Sequence, residues 1–67
     1  MTDTTYTVTG MTCDHCARAV EEEIGELDGV TGVAVDLATG AVTVRSSREL
    51  AAPDVRGAVE EAGYRLT

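Results

Sequence analysis

The spacing of apolar residues switches repeatedly between two periods along the chain, and that alternation constrains the fold more than any other feature. From Thr4 to Val8 polar and apolar residues alternate, with Tyr6 and Val8 on one side and Thr5 and Thr7 on the other. A period of two is the mark of a strand with one buried face. Thr9 to Asp14 contains Gly10 and reads as a loop. From about His15 to Leu27, the residues Ala17, Val20, Ile24 and Leu27 recur at steps of three and four, while Arg18, Glu21, Glu22 and Glu26 take the other side. That is an amphipathic helix, and Asp28-Gly29 reads as its end, the glycine suited to a left-handed cap. The period of two returns in Val33, Val35 and Leu37, which alternate with Ala34 and Asp36, and again over Ala41 to Arg45 with Val42 and Val44 inward. Ala38-Thr39-Gly40 between them is a tight hairpin connection. Ser46 to Ala52 connects to a second helix, for which Pro53 is a good first residue and Asp54 suits the positive end of the dipole. Leu50, Val55, Val59 and Ala62 line its buried side, Gly63 closes it, and Tyr64 to Thr67 forms a last short strand.

The order strand, helix, strand, strand, helix, strand predicts an α+β fold. Its natural packing is a ferredoxin-like β-α-β-β-α-β open-faced sandwich, a four-stranded antiparallel sheet with two helices on one face. The halves share a plan without a sequence repeat, no linker interrupts them, and residues 1–67 read as a single domain. A chain of this length buries only about 60% of its unfolded surface. Its core must come from nine Val, four Leu, one Ile and nine Ala, because there is no Trp and no Phe. Small domains often add a disulfide or a metal. A disulfide across the two residues between Cys13 and Cys16 would remove almost no chain entropy, so these cysteines are not a staple.

Twelve acids oppose five arginines and no lysine, for a formal charge of -7. Such a surface argues against nucleic acid and anionic membrane as partners and favours a partner with a basic patch, or no steering partner. No stretch approaches the ~18 apolar residues of a membrane span. The first residues, MTDTTYTV, lack a basic and then apolar leader. The expected compartment is the reducing cytoplasm, where thiols stay free.

Both cysteines and the lone histidine fall within residues 10–16, Gly-Met-Thr-Cys-Asp-His-Cys. The pair sits where a loop meets a helix start, and at this spacing the two side chains can turn to one side. The positive end of a helix favours thiolate over thiol. A pair of this kind serves metal or redox chemistry. The redox reading has the spacing and the strand-loop-helix context in its favour. Against it, no Trp precedes Cys13, no Pro separates the cysteines, and Pro53 looks helical. A structural zinc site needs about four ligands, and two Cys with one His do not supply them. The third reading is an exposed two-thiolate site for a soft ion of low coordination number, such as Cu(I). The complex would carry one negative charge beside the helix terminus and would stay open to an incoming thiolate.

The segment Gly10 to Cys16 resembles the Gly-Met-x-Cys-x-x-Cys motif of the heavy-metal-associated domain family. The likeness extends through Glu26-Leu-Asp-Gly-Val30, Val33-Ala-Val-Asp-Leu37 and Glu61-Ala-Gly-Tyr64. It implies the same β-α-β-β-α-β fold and a free-standing bacterial copper chaperone that is not an enzyme. The implied ligands are Cys13 and Cys16, holding Cu(I) nearly linearly and passing it by thiolate exchange to the metal-binding domain of a copper-transporting P-type ATPase. Whether copper goes to an exporter, to a copper-responsive repressor or is only buffered stays open at this point. The resemblance places Met11 beneath the loop, packed inward and not bound to metal. It places Tyr64 close to the loop, where bacterial members carry Tyr and eukaryotic ones Lys. Such a chain is expected to be a monomer without metal, and an exposed site allows a Cu(I)-bridged dimer. Three alternatives stand beside the chaperone: an excised N-terminal domain of a P-type ATPase, a mercury- or zinc-binding relative, and a small thiol-redox protein. Met1 and an end soon after the last strand favour the free-standing form.

His15 lies between the cysteines and is expected to point away from a site they share, as an exposed helix-start residue. Its other reading is tuning: the protonated ring would favour thiolate, or the neutral nitrogen would bind metal in a dimer. Asp14 suits the helix start, and its charge opposes that of protonated His15. The acids from Glu21 to Glu26 read first as a solvated helix face and second as a docking surface for a basic acceptor. If they dock, metal transfer slows as salt is raised. A transfer rate unchanged between low and moderate salt excludes steering by this face.

Overall fold

A computed structural model describes residues 2–67. It contains β1 (Thr2–Thr9), α1 (Asp14–Gly25), β2 (Val30–Asp36), β3 (Ala41–Ser46), α2 (Ala52–Glu61) and β4 (Arg65–Leu66). The strands form one antiparallel sheet in the order β2-β3-β1-β4. This is the expected open-faced sandwich. The pairings Tyr6 with Val42 and Val35 with Val42 align the apolar rows of three strands on one face. That face carries Val8, Val42 and Val44, and the helices cover it with Val20 and Ile24 from α1 and Val55, Ala58 and Val59 from α2. Ile24, Val20, Val42, Val44, Val55 and Val59 are fully buried. Tyr6, Met11, Leu27, Val33, Val35, Leu50 and Ala62 pack around them half-buried. The opposite face is open and carries the Thr5–Thr43 contact and the Asp3–Arg45 ion pair, whose nitrogen–oxygen distance is 2.9 Å.

Element ends depart from the sequence reading where local chemistry overrides period. The first helix stops at Gly25 and is capped at Glu26, two residues before Leu27. The Leu27 N–H bonds the Ile24 carbonyl in a tighter turn. Gly29 is therefore not the helix cap. Its φ of +94° turns the chain into β2, and Arg48 lies against its bare Cα. The second strand starts at Val30 instead of Val33, because a bulge between Val30 and Gly32 absorbs an irregular step. It ends before Leu37, which sits in the turn outside the core cluster. Ser46 is the last residue of β3 and is 2% exposed. Its hydroxyl donates to the Arg48 carbonyl, which satisfies the buried oxygen.

Charge is layered. Over residues 14–28 and 51–63, the helices and their ends, nine acids meet two arginines; elsewhere three acids meet three arginines. The helical layer thus holds the entire formal charge.

Two glycines give opposite predictions. A Cβ on Gly40, whose φ is +75°, would lie 2.7 Å from the Val8 carbonyl oxygen. Gly40→Ala therefore destabilises the fold by about 1–3 kcal/mol. Gly57 sits inside α2 with nothing within 4 Å of a built Cβ. Gly57→Ala stabilises it by about 0.5–1 kcal/mol through helix propensity. Urea unfolding midpoints should move in opposite directions for the two variants.

Candidate metal centre

β1 delivers the chain to one end of the sheet at Thr9, and Gly10, with φ +96°, turns it away. Cys13 is the N-cap of α1, with φ -155° and ψ 173°. Its carbonyl accepts the Cys16 and Ala17 N–H groups at 3.0 and 3.2 Å. Helices usually cap this position with an oxygen side chain turned back on the first amides. The Cys13 side chain makes no such bond, so its sulfur is left over for other chemistry. An extended cap followed by one helical turn brings the Cys13 and Cys16 sulfurs to 3.5 Å, both as free thiols.

The two thiols are not equivalent. Cys13 is exposed, and its sulfur makes no side-chain hydrogen bond except to Cys16. Cys16 is half-buried, and the Thr12 hydroxyl lies 3.9 Å from its sulfur. The Cys16 pKa is lowered to about 6, first by a hydrogen bond from the Thr12 backbone, then by the Tyr64 hydroxyl and by Cys13. Neither Asp14 nor His15 figures among the causes. The Tyr64 pKa is raised in return, chiefly by its interaction with Cys16. The two groups bias each other's titration without the distance and angle of a formed hydrogen bond.

The sheet register explains how Tyr64 arrives there. β4 pairs with β1 through Val8–Leu66 and Thr9–Arg65. Continued by one step, the register sets Tyr64 opposite Gly10. A Cβ on Gly10 would stand 3.3 Å from the Tyr64 ring, so glycine leaves room for the aromatic ring over the loop. Met11 packs half-buried against the core. Asp14 and His15 are both exposed. Thr12 was the residue missed in the sequence; its position four residues before Cys16 was the available signal.

The described residues contain no cluster of three or more His, Cys, Asp or Glu able to hold a metal ion. Of these residue types the site offers the two cysteine sulfurs. With metal–thiolate bonds of about 2.3 Å, a linear ion needs sulfurs about 4.6 Å apart. At 3.5 Å the pair is closer than that and subtends about 100° at such an ion. The near-linear geometry expected from sequence thus requires the sulfurs to spread.

The profile of the heavy-metal-associated domain matches residues 5–65. The chain belongs to that family. Among heavy-metal-associated proteins, the copper chaperone CopZ of Bacillus subtilis is 43% identical over 65 residues, covering 96% of this chain and 94% of its own. A solved CopZ metallochaperone superposes with a TM-score of 0.91 at 34% identity, over 98% of this chain and 100% of its own. The N-terminal domain of a potential copper-translocating P-type ATPase from Bacillus subtilis, solved in its Cu(I)-loaded state, superposes with a TM-score of 0.83 at 32% identity. That match covers 97% of this chain and 82% of the solved ATPase domain. In this heavy-metal-associated domain no described helix is long and apolar enough to cross a membrane.

The lowered Cys16 pKa has a measurable consequence. A thiol ionising at about 6 when folded, against an ordinary 9.0, stabilises the fold fully only above pH 9. The contribution fades as pH falls and is lost below about 6. The stability gap between the reduced metal-free protein and Cys16→Ser should therefore widen from pH 6 to pH 9 in urea titrations. Tyr64→Phe should shift the pH profile of Cys16 alkylation upward.

Proposed function

We propose that this domain is a Cu(I) chaperone that holds the ion between Cys13 and Cys16 and hands it on by thiolate exchange. The observation that carries the reading is the donor set: two free thiols 3.5 Å apart at an accessible loop, with no third Cys, His, Asp or Glu grouped with them among the described residues. Soft thiolates select Cu(I), and two donors suit an ion of low coordination number. Zinc would lack two ligands. The similar proteins named as copper chaperones and the Cu(I)-loaded ATPase domain support the same metal.

Loading a near-linear ion spreads the sulfurs by about 1 Å. Cys13, exposed and otherwise without a partner, makes that movement more easily than Cys16. An acceptor thiolate then joins as third ligand and the domain's sulfurs leave in turn, so free Cu(I) is never released. The acceptor is the metal-binding domain of a copper-transporting P-type ATPase, met in the cytoplasm, and the chain acts there as a single-domain carrier and not as an enzyme. The likeness to the ATPase domain favours a second reading with the same site, in which this chain is itself such a domain.

An anaerobic Cu(I) titration against a strong chelator, with Zn(II) alongside and native mass spectrometry for stoichiometry, tests the metal. The expected result is one tightly held Cu(I) per chain, lost in Cys13→Ser and Cys16→Ser, with Zn(II) bound weakly. Preference for Zn(II), or delivery of copper at the normal rate by Cys16→Ser, overturns the proposal.

A further inference from the structure

We infer that the Cys13–Cys16 pair is also a preset binding site for monoorganic trivalent arsenicals. The inference uses the same two thiols as the copper reading and does not depend on it. Three features point to this class of ligand. The sulfurs stand 3.5 Å apart before anything binds, a bite that subtends about 100° at bonds of about 2.3 Å. Arsenic(III) is pyramidal, with S–As–S angles only slightly above a right angle and As–S bonds close to metal–thiolate bonds in length. A linear ion must open this bite, whereas a pyramidal centre fits it as it stands.

The second feature is that no third Cys, His, Asp or Glu joins the pair among the described residues. A bare ion that wants three protein ligands is left incomplete here. A monoorganic arsenical brings its own third substituent as a carbon bond and needs only two sulfurs. The third is the wall of the site. Tyr64 is half-buried at the loop, and its ring lies over Gly10. The ring offers an aromatic surface to an organic group beside the half-buried Cys16 sulfur.

The reaction balances without an oxidant. The hydrated arsenical R–As(OH)2 condenses with the two thiols. Two As–S bonds form, two As–O and two S–H bonds break, two waters leave, and arsenic stays in the +3 state. The product is a neutral ring closed through Cys13, Asp14, His15 and Cys16, in contrast to the singly negative complex that Cu(I) forms.

Phenylarsine oxide is the probe, added to the whole reduced protein in the presence of a phosphine reductant and millimolar glutathione. Mass spectrometry should show one phenylarsenic group per chain with both thiols consumed, and glutathione should not strip it. Cys13→Ser and Cys16→Ser should lose the adduct under the same conditions. The decisive measurement is the thermal unfolding midpoint, because any chain with two nearby thiols captures this probe to some degree. A tenfold preference of the folded site over the unfolded chain raises the midpoint by roughly 6–11 °C. An adduct that leaves the midpoint unchanged or lowers it would falsify a preset site, as would no adduct, or one kept by the single-cysteine variants. Copper is read independently. An adduct with a raised midpoint in a protein that fails to bind Cu(I) removes the copper reading and leaves this inference standing.

Discussion

β1 is paired along both of its edges, to β3 from Thr2 to Thr7 and to β4 at Val8 and Thr9. Most of what matters at the thiol end follows from that double constraint. Pairing with β3 aligns Tyr6 and Val8 with the valines of the sheet, so the strand cannot slip by one residue without turning its apolar row to solvent. The strand's end is then fixed in space, and with it the start of the loop that carries Met11, Thr12 and Cys13. Pairing with β4, only two residues long, fixes Tyr64 opposite Gly10. The loop is thus held from below by the core through Met11, from the side by Tyr64, and from ahead by the first turn of α1.

Periodicity exposed the six elements and the core because both depend on which residues meet the same surface, and spacing records that directly. Val20, Ile24, Val42, Val44, Val55 and Val59 were all on predicted inner faces and are all buried. What spacing did not record was hydrogen-bond geometry. The stop of α1 at Gly25, the bulge before Gly32 and the turn that takes Leu37 out of β2 each depend on backbone bonding that has no period. The same division applies at the candidate site. Cys13 and Cys16 were conspicuous as the chain's only thiols, at a spacing that one helical turn converts into proximity. The environment of Cys16 was legible only in part: the family resemblance placed Tyr64 near the loop, but spacing alone could not, since it is 48 residues away in sequence and meets the loop through the β1–β4 register. Asp14, His15 and Tyr64 were weighed as groups near the thiols; Thr12, Tyr64 and Cys13 lower the Cys16 pKa, and of these Thr12 was the one not singled out.

The asymmetry between the thiols is a product of their places on one helix. Cys13 is outside the helix, where its backbone serves as cap and its side chain is spare. Cys16 is inside the first turn and half-buried. A cap of Ser or Asp at position 13 would give a firmer helix start. The fold forgoes that hydrogen bond, and the small aliphatic core and both layers of secondary structure have to supply the stability that a stronger cap would have added.

The layered charge makes the domain an electric dipole with a chemical address. Seen from a positive surface, one side carries all seven excess negative charges and the other is neutral, across a body 29 × 19 × 19 Å in extent. At physiological ionic strength the field decays over about 8 Å, less than half the thickness of the molecule. An approaching cationic surface therefore senses the helices and not the open sheet, and it exerts a torque as well as a pull. Arrival is biased in angle before any contact forms, with the cysteine loop brought in along the rim of the charged layer. Dilute electrolyte sharpens that angular bias and concentrated electrolyte erases it, leaving the domain to tumble in with either face forward.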